Sequence, residues 1–321
     1  MQSFELLSQK FALHFEQKHF PTDPVSLYGP NEYFLRQGGK RIRPVLCLMG
    51  NELFDEIKPD AWEMATAIEL FHNFTLIHDD IMDNAPLRRG AETVHKKYGP
   101  NTAILAGDVM LIAAYELMNN VSLTVIRQVQ NLFNTTAKEV CEGQQYDMDF
   151  ENRESVSFGE YLRMIELKTS VLIAASLKMG AILGGAGQRN QDLIYDFGRK
   201  LGLAFQVQDD YLDAFGDPHK FGKQVGGDIL ANKKTFLLIH ALEKGSESQK
   251  KELKKLMTDS SPDKVKKTLQ VFIGCKSDKW ALELKDKFLD EALQHLEDIA
   301  VTSSRKEPLI KLAQFLIQRQ Y

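Results

Sequence analysis

Apolar side chains recur along this chain at spacings of three and four residues, the period of a helix with one buried face. Between Ala61 and Ile77 the members of such a face are Met64, Ala67, Ile68, Phe71, Phe74 and Ile77. A second face of the same kind runs from Leu193 to Phe205. Two-residue alternation bounded by hairpin turns, which would indicate paired strands, is hard to find. The pattern predicts an all-helical protein.

Stretches that contain proline or glycine divide the chain into helical segments, several of them long. The predicted breaks are residues 21–30, 84–86, 99–100, 184–188, 216–228, 258–262 and 303–308. None of them is a serine- and glycine-rich linker of the kind that separates two domains. We therefore predict one domain over residues 1–321, a single large helical bundle.

Net charge and cysteine content narrow the class of protein. The 321 residues carry a formal charge of −4 and attract neither nucleic acid nor an anionic membrane, so an anionic substrate would need local cations or bound metal. The three widely spaced cysteines form no disulfide framework. The pattern of residues 1–11 is not that expected of a secretory signal, and we expect no apolar run of the roughly 18 residues that a membrane span requires. We predict a cytoplasmic protein with no nucleic-acid partner and no membrane insertion.

Two aspartate clusters with the same spacing, DDIMD at residues 79–83 and DDYLD at residues 209–213, follow the two apolar faces. The first and last aspartates of a cluster are four residues apart, about one helical turn, so their carboxylates point the same way and repel each other. A bound Mg²⁺ removes this repulsion, because it prefers hard oxygen ligands and shares them with phosphate. A single cluster is typical of a solvated helix end, whereas two copies favour a site for several Mg²⁺ ions and one diphosphate.

Calcium is not indicated at the second cluster. Residues 209–216 lack the alternating ligands of a calcium-binding loop and the glycine at its sixth position.

Cationic side chains occur where a phosphate ligand would need them. Arg88 and Arg89 follow the first cluster, and Lys40 and Arg43 follow a pair of glycines. The planar guanidinium matches two phosphate oxygens, which makes arginine suited to binding diphosphate. Taken alone, Lys40 and Arg43 are equally consistent with a solvated surface patch.

Glycines and lysines without apolar periodicity follow the second cluster, at residues 221–228 and 232–235. They predict a mobile flap that closes over the phosphates.

Seven motifs then occur in a fixed order: GGKRIRP (38–44), HDDIMDNAPLRRG (78–90), EGQQYD (142–147), KT (168–169), GLAFQVQDDYLDAFGD (202–217), FGKQVGGD (221–228) and NKKT (232–235). In this order they resemble the trans-isoprenyl diphosphate synthases, the polyprenyl synthetase family, over nearly the whole chain. The resemblance implies an all-α isoprenoid-synthase bundle with a central active-site cavity, and a homodimer. It also implies a prenyltransferase that condenses an allylic diphosphate with isopentenyl diphosphate, head to tail (1′-4).

The resemblance further implies a role for each matching residue. Three Mg²⁺ ions would be coordinated by Asp79, Asp80, Asp83, Asp209, Asp210 and Asp213. The allylic diphosphate would be held by Arg88, Lys168, Lys223 and Lys233, and that of isopentenyl diphosphate by Lys40, Arg43, His72 and Arg89. Thr169 and Gln206 would face the developing allylic cation, and Asp147 would support the metal site without touching the ion. Without the resemblance, His72 is better explained as a core histidine.

The chemistry implied is electrostatic. Metal and cationic side chains stabilise charge as the carbon–oxygen bond breaks, in a site that excludes water. The double bond of isopentenyl diphosphate attacks the cation, and the departing diphosphate accepts the released proton.

Residues one to two turns before Asp79 would line the channel for the growing chain: Phe71, Phe74 and Thr75. At 1.5 Å rise per residue, Phe74 lies roughly 7–8 Å below the first aspartate and would act as a floor. In the family, an aromatic residue here accompanies short products, although simple core packing explains Phe74 as well. The first cluster also lacks the two-residue insertion of many bacterial farnesyl-forming relatives. We predict geranylgeranyl diphosphate as the product, with farnesyl diphosphate second.

Three alternatives remain. A class I terpene cyclase shares the first cluster but usually replaces the second, and it needs no second diphosphate site. A non-catalytic helical subunit of a heteromeric prenyl synthase would be expected to lose aspartates or cations, and none is lost here. The dipeptide His78-Asp79 resembles metal phosphohydrolases, but no further histidines with suitable neighbours accompany it.

Overall fold

The computed structural model describes residues 1–216 and 226–318 and is almost entirely helical. The helices are α1 (Phe4–Phe15), α2 (Val25–Leu35), α3 (Ile42–Glu52), α4 (Pro59–Met82), α5 (Val94–Tyr98), α6 (Pro100–Met118), α7 (Ile126–Glu151), α8 (Phe158–Ile165), a π-helix (Glu166–Ser170), α9 (Val171–Leu183), α10 (Gln188–Phe215), α11 (Gly227–Leu230), α12 (Phe236–Lys244), α13 (Glu247–Met257), α14 (Lys264–Gly274), α15 (Ser277–Glu297) and α16 (Ser303–Gln318). Within the described ranges the strands are β1 (Leu87–Arg88) and β2 (Ala91–Glu92). The all-α prediction is confirmed.

Residue contacts group the chain into two compact units. The first comprises Met1–Asn134, Ala175–Ile194 and Ala300–Pro308. The second comprises Thr135–Ala174, Tyr195–Ile299 and Leu309–Tyr321. The single domain over residues 1–321 stays a prediction.

Helix α4 is the centre of the first unit and packs against α3 and α6. It begins with Pro59, whose missing N–H costs nothing in the first helical turn. The apolar face predicted for this segment is buried, except that Phe74 is only partly so. Gly107 of α6 allows the close approach of the two helices, because a Cβ there would overlap the imidazole of His78. The helix ends at the first aspartate cluster.

Helix α10 supplies the predicted face of the second unit. Phe197, Leu201 and Ala204 are buried. The helix continues to Phe215 and therefore carries the second aspartate cluster on its last turns. Both long helices thus end in carboxylates, as the sequence predicts.

Two predicted breaks are wrong. Helix α2 begins at Val25, inside residues 21–30, and α16 begins at Ser303 and contains Pro308. A proline inside a helix removes one backbone hydrogen bond, which tertiary packing can offset. Pro30 is buried, and so is Leu309 next to Pro308. Residues 217–225 of the predicted break at 216–228 lie outside the described residues.

The expectation that no apolar segment reaches the length of a membrane span also needs correction. By length and composition alone, α6 is apolar enough to cross a membrane, with a mean hydropathy of 1.3 over its most apolar 18 residues, 39% of which are buried. The sequence argument considered only uninterrupted apolar runs, and Asp108 and Glu116 interrupt this one. A core helix of a soluble protein meets the same criterion, so one such helix is weak support for a membrane protein.

Candidate active site

The first aspartate cluster is already paired with one of its predicted cations. Asp80 is almost fully buried, and its two carboxylate oxygens accept hydrogen bonds from Nε of Arg88 at 2.8 and 2.9 Å. Nη2 of Arg88 lies 3.6 Å from Asp79. Burial raises the pKa of the Asp80 carboxyl, while Arg88 opposes the rise. Asp83 is exposed at the end of α4. Arg88 is thus held against Asp80 and close to Asp79.

A hairpin turn directs the side chains of the adjacent residues Arg88 and Arg89 toward different partners. Strand β1 ends at Arg88 and β2 begins at Ala91, so Arg89 and Gly90 form the two-residue connection. Both have positive φ, 53° and 80°, as a tight hairpin turn requires. Nη1 of Arg89 donates a hydrogen bond to the carbonyl oxygen of Gly38. Sequence periodicity did not indicate this hairpin.

The pair of glycines before Lys40 makes room for Arg89. A Cβ on Gly39 would lie 2.9 Å from Nη2 of Arg89. Gly38 has a φ of +73°, a conformation that glycine adopts without strain. The GGKRIRP segment is therefore shaped to receive the guanidinium of Arg89.

Arg43 and His72 contact each other beneath this segment. Nη1 of Arg43 lies 3.1 Å from Nε2 of His72. Because a guanidinium only donates, Nε2 accepts and His72 is neutral. Burial, followed by the charges of Arg43, Arg89, Arg88 and Arg41, holds the pKa of His72 well below its ordinary value. Among the described residues, the buried Nε of Arg43 has no hydrogen-bond partner.

Arg41 has a different, structural partner. It forms a salt bridge with Glu69, and Glu69 also accepts a hydrogen bond from Nδ2 of Asn73 at 2.8 Å. Glu69 is buried, so its charge requires a cation nearby. Of the three cations in the GGKRIRP segment, Arg41 is therefore occupied, whereas Lys40 is exposed at the surface.

The second unit contains a cavity of about 690 Å³, within the usual range for small-molecule sites. The predicted residues that line it are Asp147, Lys168, Thr169, Gln206, Asp209, Asp210, Asp213 and Lys233. Tyr161, Asp228 and Lys234, which had no assigned role, line it as well. Lys223 lies outside the described residues. The structure thus places eight of the predicted site residues around one cavity.

Within this cavity, Asp210 is held by two side chains. Its carboxylate accepts hydrogen bonds from the hydroxyl of Tyr161 and, at 2.8 Å, from Nε2 of Gln206. Burial raises the pKa of Asp210 to about 8, and the charge of Asp228 adds to the rise. A bound cation would relieve this accumulation of carboxylates. Asp210 therefore resembles Asp80 of the first cluster, because both are buried and both accept hydrogen bonds from side chains.

The predicted lysine–threonine pair lies on the π-helix, which links α8 to α9. Lys168 donates to Asp147 at 2.7 Å, and Thr169 donates to Gln206 at 3.3 Å. A single π turn inside a longer helix often marks a functional site.

Two further lysines border the cavity. Lys233 lies 3.9 Å from Asp228. Lys234 donates to the carbonyl oxygens of Phe150 and Glu151 at 2.7 and 3.2 Å. A cation at these carbonyls complements the negative end of α7. Burial lowers the pKa of Lys234.

The predicted chain-length residues lie on α4 in an aromatic group. The ring of Phe74 is 5.7 Å from that of Phe71 and 4.8 Å from His78, and Phe71 is 5.0 Å from Phe133. Thr75 donates to the carbonyl oxygen of His72 at 2.8 Å. That Phe71, Phe74 and Thr75 set product length stays a prediction.

His78 has contacts of its own. Its Nε2 lies 3.1 Å from the carbonyl oxygen of Ile104, on α6. This contact explains the histidine of the His78-Asp79 dipeptide without a metal.

The donor atoms of both clusters suit Mg²⁺, since carboxylate oxygens are its usual protein ligands. Among the described residues, no three His, Cys, Asp or Glu side chains converge closely enough to hold a metal ion alone. Magnesium commonly takes one or two carboxylates and completes its shell with water and phosphate oxygens. The residues present therefore fit this ion.

Sequence reasoning missed several residues of these sites. Asp228 is the last residue of the FGKQVGGD motif, and its carboxylate next to glycines was the available signal. No sequence signal indicated Tyr161 or Glu69, because their partners Asp210 and Arg41 are 49 and 28 residues away.

Comparisons with known proteins agree on one family. The family model described as polyprenyl synthetase matches residues 24–272. A crystal structure of geranylgeranyl pyrophosphate synthase superposes with a TM-score of 0.95 at 44% identity, covering 100% of both chains. The geranylfarnesyl diphosphate synthase of Natronomonas pharaonis is 36% identical, over 93% of this chain and 91% of its own. The polyprenyl synthase of Caulobacter crescentus CB15, complexed with calcium and isoprenyl diphosphate, has a TM-score of 0.88 at 25% identity, covering 99% and 97%.

Proposed function

The chain belongs to the polyprenyl synthetase family and is a trans-prenyltransferase, and we propose that its principal product is geranylgeranyl diphosphate. In this reaction an allylic diphosphate and isopentenyl diphosphate are joined head to tail. The predictions of family, fold class and enzyme class are confirmed. The residue roles, metal content, product length and assembly that follow are proposals.

The contact between Arg43 and His72 carries the proposal of a separate isopentenyl diphosphate site. Arg43 has a buried Nε–H with no hydrogen-bond partner among the described residues, and Arg89 contributes a second guanidinium to the same cationic surroundings. Neutral His72 adds no charge to these surroundings. Lys40, exposed nearby in sequence, would add an ammonium group. A terpene cyclase needs no such second anion site, so this group favours a synthase.

The allylic diphosphate would be held by Arg88, Lys168, Lys223 and Lys233. Lys168 and Lys233 border the cavity of the second unit, and Arg88 lies against the first cluster. Each supplies N–H donors for phosphate oxygens, and charge-assisted hydrogen bonds of this kind are roughly twice as strong as neutral ones. They would stabilise the diphosphate as it departs.

For Mg²⁺, we propose that the outer aspartates of each cluster are the principal ligands: Asp79, Asp83, Asp209 and Asp213. Asp80 and Asp210 are buried and would orient Arg88, Tyr161 and Gln206, which donate hydrogen bonds to their carboxylates. The outer aspartates are more accessible to an ion, although Asp213 also accepts a hydrogen bond from the backbone N–H of Asp228 at 3.0 Å. When bound, the ions neutralise diphosphate charge. The proposed number of three ions rests on the family resemblance. The Caulobacter crescentus structure, which holds calcium, supports a divalent cation.

Thr169 and Gln206 would stabilise the developing allylic cation. Their oxygen atoms lie 3.3 Å apart beside the cavity and present dipoles without a full negative charge. A dipole stabilises a cation without forming a covalent adduct with it. The departing diphosphate would accept the proton released after coupling.

Product length is proposed from the aromatic residues before the first cluster. Phe74 contacts Phe71 on one side and His78 on the other, which limits its movement. A fixed phenyl group here would stop elongation at about four isoprene units. The Natronomonas pharaonis relative makes the next longer product according to its name, so geranylfarnesyl diphosphate is the alternative to test.

We also propose a cytoplasmic homodimer. Helix α6 exposes the apolar side chains of Ile104, Leu105 and Ile112, each 44–57% accessible in the monomer. Exposed apolar groups of this kind mark association surfaces, and a two-fold dimer is the commonest soluble assembly. Light scattering of the purified protein should therefore give twice the chain mass, whereas a monomer would refute the dimer.

A product assay tests the proposed function. Purified protein with Mg²⁺, labelled isopentenyl diphosphate and dimethylallyl, geranyl or farnesyl diphosphate should extend each primer to geranylgeranyl diphosphate and stop. A farnesyl or geranylfarnesyl endpoint would refute the proposed length. Chelation with EDTA should abolish turnover and added Mg²⁺ should restore it. Diphosphate release from an allylic substrate alone, without incorporation, would indicate a cyclase.

A further inference from the structure

The π-helix that carries Lys168 and Thr169 lies against one glycine of each of two helices. Gly143 belongs to α7 and Gly202 to α10. A Cβ on Gly143 would lie 2.7 Å from Cα of Lys168, and a Cβ on Gly202 would lie 2.7 Å from Cα of Ser170. Both separations are shorter than a real Cβ atom tolerates. Only glycine therefore permits both helices to approach this turn so closely.

Each glycine is followed, four residues later, by a polar side chain that holds a side chain of the turn. Asp147 accepts from Nζ of Lys168 at 2.7 Å. Gln206 accepts from the hydroxyl of Thr169 at 3.3 Å. Residues four apart share one face of a helix, so each glycine and its polar partner face the turn together. The same arrangement thus occurs on both helices.

Neighbouring side chains of this wide turn reach different helices. The N–H of Val171 bonds to the carbonyl oxygen of Glu166, five residues earlier, instead of four. Lys168 reaches Asp147 on α7, and Thr169 reaches Gln206 on α10. Backbone contact with glycine on each helix fixes the turn in this register.

We propose that Gly143 and Gly202 are positioning residues for the prenyl transfer reaction. They set the distance of α7 and α10 from the π-helix, and through it the positions of the Lys168 ammonium and the Thr169 hydroxyl at the cavity. The inference rests on the roles proposed above for Lys168 and Thr169. Neither glycine touches substrate.

The consequence for activity follows from the size of one methyl group. Alanine at either position displaces the turn backbone, and a displacement of about 1 Å at a catalytic group lowers the rate by about 100-fold. We expect Gly143→Ala and Gly202→Ala to lower kcat by about 10- to 100-fold. KM for isopentenyl diphosphate should stay within about twofold, because neither the ammonium of Lys168 nor the hydroxyl of Thr169 is assigned to that substrate. A purely structural role would lower the melting temperature and leave kcat of the folded enzyme unchanged.

Double-mutant cycles separate positioning from general damage. Turnover and thermal unfolding are measured for Gly143→Ala, Lys168→Ala and the double variant, and likewise for Gly202→Ala with Thr169→Val. If Gly143 acts through Lys168, the double variant is no slower than Lys168→Ala alone. Gly159→Ala is the matched control, because a Cβ there meets no atom within 4 Å, and it should keep full turnover.

Several results would overturn the inference. The first is a double variant in which the two losses of turnover multiply. The second is an unchanged kcat in both alanine variants. The third is failure of both alanine variants to fold, which would assign the glycines to folding alone. Normal turnover of Lys168→Ala and Thr169→Val would refute the proposed roles of those two residues, and the inference with them. If Lys168→Ala is slow and the losses still multiply, the roles stand and only the inference fails.

Discussion

Nη1 of Arg43 donates a hydrogen bond to Nε2 of His72 across 3.1 Å, which fixes His72 as the neutral imidazole. A second proton on this ring would place a positive charge next to a guanidinium. It would also occupy Nε2, so that Arg43 would lose its hydrogen-bond acceptor. The pKa of His72 is accordingly held well below its ordinary value, first by burial and then by Arg43.

His72 should make the stability of the protein depend on pH. Below pH 6.5 the unfolded chain protonates this histidine while the folded chain does not, so the unfolded state binds more protons. The free energy of unfolding should therefore fall as pH drops from 7 to 5. The His72→Gln variant, which keeps an acceptor for Arg43, should lose less free energy of unfolding over the same pH range. Urea unfolding of both proteins at pH 7, 6 and 5 measures the difference, and parallel losses would contradict the lowered pKa.

Arg43→Gln should weaken binding of isopentenyl diphosphate selectively. A hydrogen bond to a charged group contributes about 1.5–3 kcal/mol, so KM for this substrate should rise about 10- to 100-fold. KM for the allylic substrate should change little. Arg36→Gln is the control, since Arg36 is an exposed arginine at the end of α2. Steady-state kinetics with each substrate varied in turn gives both constants, and an equal rise in both would refute the assignment.

The outer and middle aspartates of the first cluster should respond differently to alanine. Asp79→Ala should lower turnover by about 100-fold or more while the protein stays folded, because a metal ligand is lost. Asp209→Ala should behave in the same way. Asp80→Ala should also destabilise the protein by about 3 kcal/mol, since it leaves Arg88 without its buried partner.

Circular dichroism melting and turnover, measured on the same preparations, separate these effects. Near-normal turnover of Asp79→Ala or Asp209→Ala with Mg²⁺ present would refute the metal role. Equal melting temperatures for Asp79→Ala and Asp80→Ala would refute the division between outer and middle aspartates.

Phe74→Ala should lengthen the product beyond geranylgeranyl diphosphate, because it removes the ring proposed to stop the chain. Thr75→Phe should act in the opposite sense and favour farnesyl diphosphate. Phe288→Ala removes a buried phenyl group from α15 and should lower stability without changing product length. Chromatography of the reaction products measures all three, and an unchanged endpoint in both Phe74→Ala and Thr75→Phe would refute the floor.

Local sequence was sufficient to predict the long helices and their charged ends. The apolar spacing of residues 61–77 reflects contacts within one helix face, and α4 has that face. The aspartates at 79–83 and 209–213 were recognisable because each cluster is contiguous.

Contacts between distant residues could not be predicted. Arg41 and Arg43 are equivalent cations in sequence, and only the fold gives Glu69 to one and His72 to the other. The π-helix packs against glycines from two other helices, and this contact leaves no sign in residues 166–170, whose sequence indicates an ordinary helix. Whether Phe74 limits the length of the product likewise depends on packing between helices, which leaves its role ambiguous in sequence.

The hairpin turn at Arg89 and Gly90 constrains how this protein can evolve. Surface loops usually accept insertions and deletions. Here Arg88 lies in the strand and donates to Asp80, whereas Arg89 lies in the turn and donates to the carbonyl oxygen of Gly38. A single inserted residue would shift the register of the hairpin and misdirect both guanidinium groups at once. Homologous sequences should therefore vary in the composition of this segment more readily than in its length.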